Sequence, residues 1–152
     1  MIALLLLLAA SETTDAPTLK SGDVAVIDCR VKKDYMAYPV PSTPSFVGNE
    51  RWVFHIKSWG LGRPGKAIWD VTDGDDRTYS NDVIVLPSVN GDKINLSFLY
   101  SDLGMANVAL TSAREGTATV SATDSMRHGE GEYQVSGECK TVVKRAPKGS
   151  GR

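Results

Sequence analysis

Val24-Ala25-Val26-Ile27-Asp28-Cys29-Arg30-Val31 and Tyr133-Gln134-Val135-Ser136-Gly137-Glu138-Cys139-Lys140-Thr141 decide the fold of this chain. In the first stretch Ala25, Ile27, Cys29 and Val31 share one face, and Val24, Val26, Asp28 and Arg30 share the other. In the second, Tyr133, Val135, Gly137, Cys139 and Thr141 lie opposite Gln134, Ser136, Glu138 and Lys140. Alternation with period two is the signature of a β-strand. The only two cysteines of the chain fall on the two apolar faces. A Cys29–Cys139 disulfide would tie the first strand to the last. Their separation is wrong for a zinc site, and no Cys-x-x-Cys redox pair is present.

The segments between repeat the strand pattern. Trp52, Phe54 and Ile56 alternate with Val53, His55 and Lys57, and Ala67 to Val71 forms a short run before the Asp73-Gly74-Asp75-Asp76 turn. Val83 to Val89 leads through Asn90-Gly91 into Lys93 to Tyr100, the dipeptide marking a hairpin because it tolerates positive φ. Pro87 places its strand at an edge or a bulge. Asn107 to Thr111 and Gly116 to Ala122 are weaker strands, rich in Ala and Thr. No segment carries apolar residues at helical spacing, and no repeat is visible. The expected fold is all-β: one small antiparallel barrel or sandwich of about eight short strands, with its first and last strands joined by the disulfide.

Outside that domain the chain divides simply. Ile2 to Ala10 is an apolar run of signal-peptide length, far short of the roughly 20 residues that span a bilayer. Residues 1–11 therefore read as a signal peptide, although no Lys or Arg precedes the run. Residues 12–22 read as a linker, 23–143 as the β domain, and 144–152 as a disordered basic tail. Export and paired cysteines agree on an oxidising compartment, periplasmic or secreted. With no second long apolar stretch, an integral membrane protein is not expected.

With 17 Lys and Arg against 18 Asp and Glu, the chain has a net charge of -1. A near-neutral chain is not expected to bind nucleic acid, which needs concentrated positive surface. Catalytic signals are sparse. There are two histidines, His55 and His128, and neither a Gly-x-Ser-x-Gly elbow nor a phosphate-binding glycine loop. His55 alternates against Trp52 and Phe54 and is expected to face solvent. Asp28 and Glu50 are an unspecific acid–base pair. His128, Glu130 and Glu132 alternate in a polar segment that reads as a turn, or as part of a His/carboxylate metal site. Asp70, Asp73, Asp75 and Asp76 read as a solvated Asp-Gly turn, with Asp70, Asp73 and Asp75 the candidate ligands if calcium binds. Asn95-Leu96-Ser97 is a formal glycosylation sequon inside a predicted strand.

The segment Trp59 to Lys66 carries the main binding expectation. Trp59, Leu61, Arg63 and Lys66 stand among glycines, and Trp69 follows closely. Aromatic and Arg side chains anchor interfaces because they bury large area and still hydrogen-bond. The competing reading has Trp59 folding back to plug one end of the domain. Tyr38 to Pro44 carries Pro39, Pro41 and Pro44 and reads as a loop or an extended edge, and Tyr35, Tyr38 and Phe46 in and around it border the same surface or cover the core. The expected function is an exported non-catalytic module that binds a protein, glycan or small ligand, a hydrolase inhibitor among the possibilities. A carboxylate- or metal-dependent hydrolase and a structural envelope component are the alternatives.

Overall fold

The computed structural model describes residues 17–39, 43–90, 93–99, 104–110, 115–125 and 131–149. Eight strands follow one another as a meander: β1 (Ala25–Ala37), β2 (Ser45–Gly60), β3 (Arg63–Thr72), β4 (Thr78–Asn90), β5 (Lys93–Leu99), β6 (Gly104–Leu110), β7 (Glu115–Ser125) and β8 (Gly131–Val143). Each pairs antiparallel with the next, and β8 pairs back onto β1, so the sheet closes as a barrel. Closure gives every strand a paired neighbour on both sides for part of its length. The barrel, rather than the sandwich, is the architecture.

The alternating faces explain closure. Inward positions of β1, β2 and β3 place Ile27, Cys29, Trp52, Phe54, Ile56, Ala67 and Trp69 in one buried cluster with Val85, Leu96 and Phe98. The axis is filled by aromatic rings. Phe54 stacks on Phe98 with centroids 4.1 Å apart and on Trp69 at 5.8 Å, and Trp52 meets Trp69 edge-on at 4.8 Å. An eight-stranded barrel is just wide enough for side chains to fill or for one small ligand. These rings occupy the middle of this one.

The disulfide forms as expected. Cys29 and Cys139 are direct register partners on β1 and β8, and both are buried. Two residues on, Gly137 lies opposite Val31, where a side chain would collide with the Arg30 carbonyl. A glycine there lets β8 approach β1 closely beside the bridge. Disulfides of this buried, structural kind persist in oxidising compartments.

Several strands are longer than the short ones expected. β2 begins at Ser45, and its pairing with β1 reaches Tyr35. The glycine- and proline-rich segment after Trp59 is a two-residue turn at Leu61 and Gly62, because Gly60 pairs with Arg63. Gly62 takes a φ of 71°, which glycine adopts without steric cost. Pro87 is accommodated because β3–β4 pairing ends at Gly65↔Val85, so β4 has only β5 beside it at that position. The Asn90↔Lys93 register puts the centre of the hairpin at positions 91 and 92, outside the described residues.

The described residues flanking β1 and β8 are tied to the barrel. The described part of the 144–152 segment, expected to be disordered, is bonded to the barrel at Lys144, Arg145 and Lys148. The Lys144 and Arg145 amides donate to the Val24 carbonyl at 2.9 and 3.1 Å, and Leu61 donates to Lys148 at 3.0 Å. These are backbone bonds, which a composition rich in Lys, Gly and Pro does not reveal. At the other end of the chain, residues 17–22, read as linker, lie against β2: Lys57 Nζ donates to the Ser21 carbonyl at 3.3 Å. Among the described residues no helix is long and apolar enough to cross a membrane.

Candidate binding cleft at the turn end of the barrel

The meander gives the barrel two unlike ends. The Leu61–Gly62 turn, the end of β4, the start of β5 and the described residues flanking β1 and β8 gather at one, which we call the turn end. The ends of β1, β3 and β7 and the Asp73–Arg77 turn lie at the other.

At the turn end, Gly60 closes β2 and has no side chain. Arg63 of β3 is its register partner on one side, and Lys148 forms a parallel bridge with it on the other. A side chain at Gly60 would grow into the space between them: a Cβ there would lie 3.6 Å from the Lys148 carbonyl and 3.9 Å from Arg63 Cβ. The result is an open cleft of about 300 Å³ lined by Ser58, Trp59, Gly60, Arg63, Pro64, Lys148 and Gly149. Trp59 forms part of the lining and also packs against the buried cluster. Its indole N–H donates to the Arg145 carbonyl at 2.7 Å, so one side chain fastens the tail and shapes the cleft.

Of the residues singled out in sequence, Trp59 and Arg63 meet in this cleft. Leu61 is half-buried on the turn, and Lys66 is exposed on the outer wall of β3 beside Ser58. Trp69 is brought elsewhere: it is buried in the core among Trp52 and Phe54. Lys148 was missed, because a basic tail carries no strand pattern to place it.

Cations cluster among the described residues of the turn end. Arg63, Lys66, Lys93, Lys144, Arg145 and Lys148 are exposed there and make no ion pair among the described residues. Carboxylates collect at the opposite end, where Asp73, Asp75 and Asp76 form one turn and Glu132 accepts from Tyr38 and Gln134. Asp73 accepts the Asp75 and Arg77 backbone amides and pairs with Arg77. The Arg77 amide is the main reason its carboxyl lies below the usual range.

A larger groove, about 680 Å³, runs along the outer wall between Arg30, Lys32, Arg51, Asp73, Asp76 and Glu138. Its charge is mixed and partly neutralised. Arg51 forms a two-pronged bond to Asp28 at 2.9 and 2.6 Å, which holds the guanidinium above its usual pKa, and Lys32 pairs with Asp34 at 2.9 Å. Glu50, the other half of the sequence-level acid–base pair, binds Lys33 and the Trp52 indole instead.

His55 departs from its expected place in solvent. It points outward from β2 but is buried, because the segment before β1 covers it. Nδ1 shares a 2.8 Å hydrogen bond with Asp23, and Nε2 lies 3.6 Å from Asp70. Burial pushes the Asp23 carboxyl up, yet bonds from Lys57, His55 and the Lys20 amide outweigh it and hold it below its ordinary value. Asp23 is therefore an acceptor, and the His55 Nδ1 carries the proton. This is a clamp on the N-terminal segment: each group is committed to a neighbour.

The three calcium candidates are likewise engaged separately. Asp70 accepts from Ser80 at 2.6 Å and pairs with Lys20, whereas Asp73 and Asp75 both pair with Arg77. Among the described residues no three His, Cys, Asp or Glu side chains converge as a metal-binding group. His128 and Glu130 lie outside the described residues. The chain matches no family model, no curated protein and no solved structure.

Proposed function

We propose that this protein is a non-catalytic binding module of the periplasm or extracellular space, which engages its partner through the turn end of the barrel. The observation that carries the reading is the cleft in which Gly60 separates two exposed cations, Arg63 and Lys148, with Trp59 beside them. Its walls are set by strand pairing and by the anchored tail, so little ordering is needed on binding, which favours affinity. The interior supports the same reading: stacked aromatic rings fill it where a ligand would otherwise sit.

The hydrolase alternative has less support. Asp70, Asp73 and Asp75 are bonded to neighbouring side chains, and His55 is locked in the wall. A soluble module also suits the outer wall, where Asp28, Arg30, Arg51, Glu138 and Lys140 occupy adjacent register positions of β8, β1 and β2. Charges so placed would be costly against lipid.

The test is affinity capture from an extracytoplasmic fraction, comparing the native chain with an Arg63→Glu/Lys148→Glu variant. The reading expects a partner retained by the native chain and lost by the variant, with unchanged thermal unfolding. Equal retention by both would remove its support.

A further inference from the structure

Resting on that reading, we propose that the ligand of the turn-end cleft is an acidic peptide segment of a protein partner. A carboxylate side chain would sit over Gly60 between Arg63 and Lys148, and a neighbouring apolar side chain would lie against Trp59 and Pro64.

Three observations carry this. The first is charge. The exposed cations around the cleft have no carboxylate partner among the described residues, although the chain as a whole carries a net charge of -1. Such a cluster attracts anions over about a Debye length, roughly 10 Å at moderate ionic strength. The second is shape. A notch of about 300 Å³ holds one or two side chains rather than a continuous polymer. The third is mixed lining. Arg and Lys reward a carboxylate, whereas the Trp59 and Pro64 surfaces reward an apolar neighbour, and a peptide offers both within adjacent residues.

Other anionic partners fit less well. A nucleic acid would gain from exposed aromatic platforms, and Trp59 is already packed on the core with its indole N–H bonded. A membrane surface would gain from apolar anchors among the cations. The exposed Ile84, Leu86 and Leu99 lie on the barrel wall and Phe46 lies toward the opposite end, which leaves Val89, near Lys93, as an exposed valine at the turn end, a small anchor for a membrane.

The experiment uses the full, disulfide-bonded chain and a short fluorescein-labelled peptide of glutamates with leucine at every third position. The same peptide with glutamine for glutamate is the control. Binding is read by fluorescence anisotropy at two salt concentrations. The glutamate peptide should bind, weaken with added salt, and exceed the glutamine peptide by about tenfold or more. Arg63→Glu/Lys148→Glu should cost at least that factor. Gly60→Leu, which fills the notch without altering charge, should also abolish binding, while Arg30→Glu in the wall groove should not. Thermal unfolding confirms that each variant is folded.

Equal binding of both peptides, or full binding by Gly60→Leu, would overturn the proposal. So would binding to heparin or to phosphatidylglycerol vesicles without binding to the glutamate peptide. If the peptide fails while Arg63→Glu/Lys148→Glu still abolishes capture of the native partner, the cleft remains the binding site and the acidic-peptide assignment falls. If that variant has no effect in either experiment, both fall.

Discussion

Cys29 and Cys139 face each other directly across the seam where β8 closes onto β1, with their Cα atoms 3.9 Å apart at a sequence separation of 110. The bridge therefore fastens the one strand pair of the ring that is most distant in sequence. Closing a loop of that length removes unfolded-state entropy worth about 4–5 kcal/mol in the chain-entropy model. A Cys29→Ala/Cys139→Ala variant is expected to lose stability of that order, read as a fall in the urea midpoint with a steeper slope, because the uncrosslinked denatured chain exposes more surface. An unchanged midpoint would mean that β1–β8 pairing does not depend on the bridge.

The aromatic stack on the barrel axis predicts a second loss. Phe54 is fully buried and touches both Phe98 and Trp69. Phe54→Ala should cost about 3–5 kcal/mol, since transfer energy and the cavity left behind add. A double-mutant cycle with Phe98→Ala should show coupling of about 0.5–1.5 kcal/mol, and a cycle that sums to zero would contradict the stacked geometry.

Asp23 predicts the acid limb of stability. Its carboxyl is held below the ordinary value when folded, so its contribution is present above the unfolded pKa and is lost as pH falls through the folded one. The loss should run from about pH 4 downward. Lys57, His55, Asp70 and Lys20 are the charged or titratable groups around it. Asp23→Asn should remove this component and cost about 2–3 kcal/mol at neutral pH, less than for a fully buried pair because Lys57 still reaches water. Denaturation midpoints across pH, native against variant, read both quantities. Parallel curves would contradict the clamp.

Trp59 predicts a local effect. Replacing it by Phe keeps most of the packed ring and removes the bond to the Arg145 carbonyl. The expected cost is about 1 kcal/mol, with earlier tryptic cleavage at Lys144 and Arg145. Unaltered cleavage would show that the backbone bonds from Lys144, Arg145 and Leu61 hold the tail alone.

Much of this was legible in the sequence because side-chain alternation reports directly on a barrel wall. Ala25, Ile27 and Cys29 of β1 and Val135 and Cys139 of β8 could be assigned to the inner face by period alone. That Trp59 packs against the core accords with one of the two readings open from its spacing. What stayed hidden depends on chain segments without periodicity. His55 sits on an outward strand position, and only the irregular segment ending at Asp23 buries it. Gly60 to Gly65 looked like a loop because glycine and proline usually interrupt strands, yet pairing continues to Gly60 and resumes at Arg63. A net charge is a sum, so it cannot show that closing a meander sends Arg63, Lys93 and Lys148 to one end and the Asp73–Asp76 turn to the other.

The most direct test of the central claim is site-specific photocrosslinking in the native extracytoplasmic fraction, with the reactive group placed at Leu61 beside the cleft and, separately, at exposed Leu86 on the barrel wall. Binding through the turn end predicts a discrete crosslinked species from position 61, suppressed by Arg63→Glu/Lys148→Glu, and none from position 86. A partner captured from position 86, or equally from both, would contradict it.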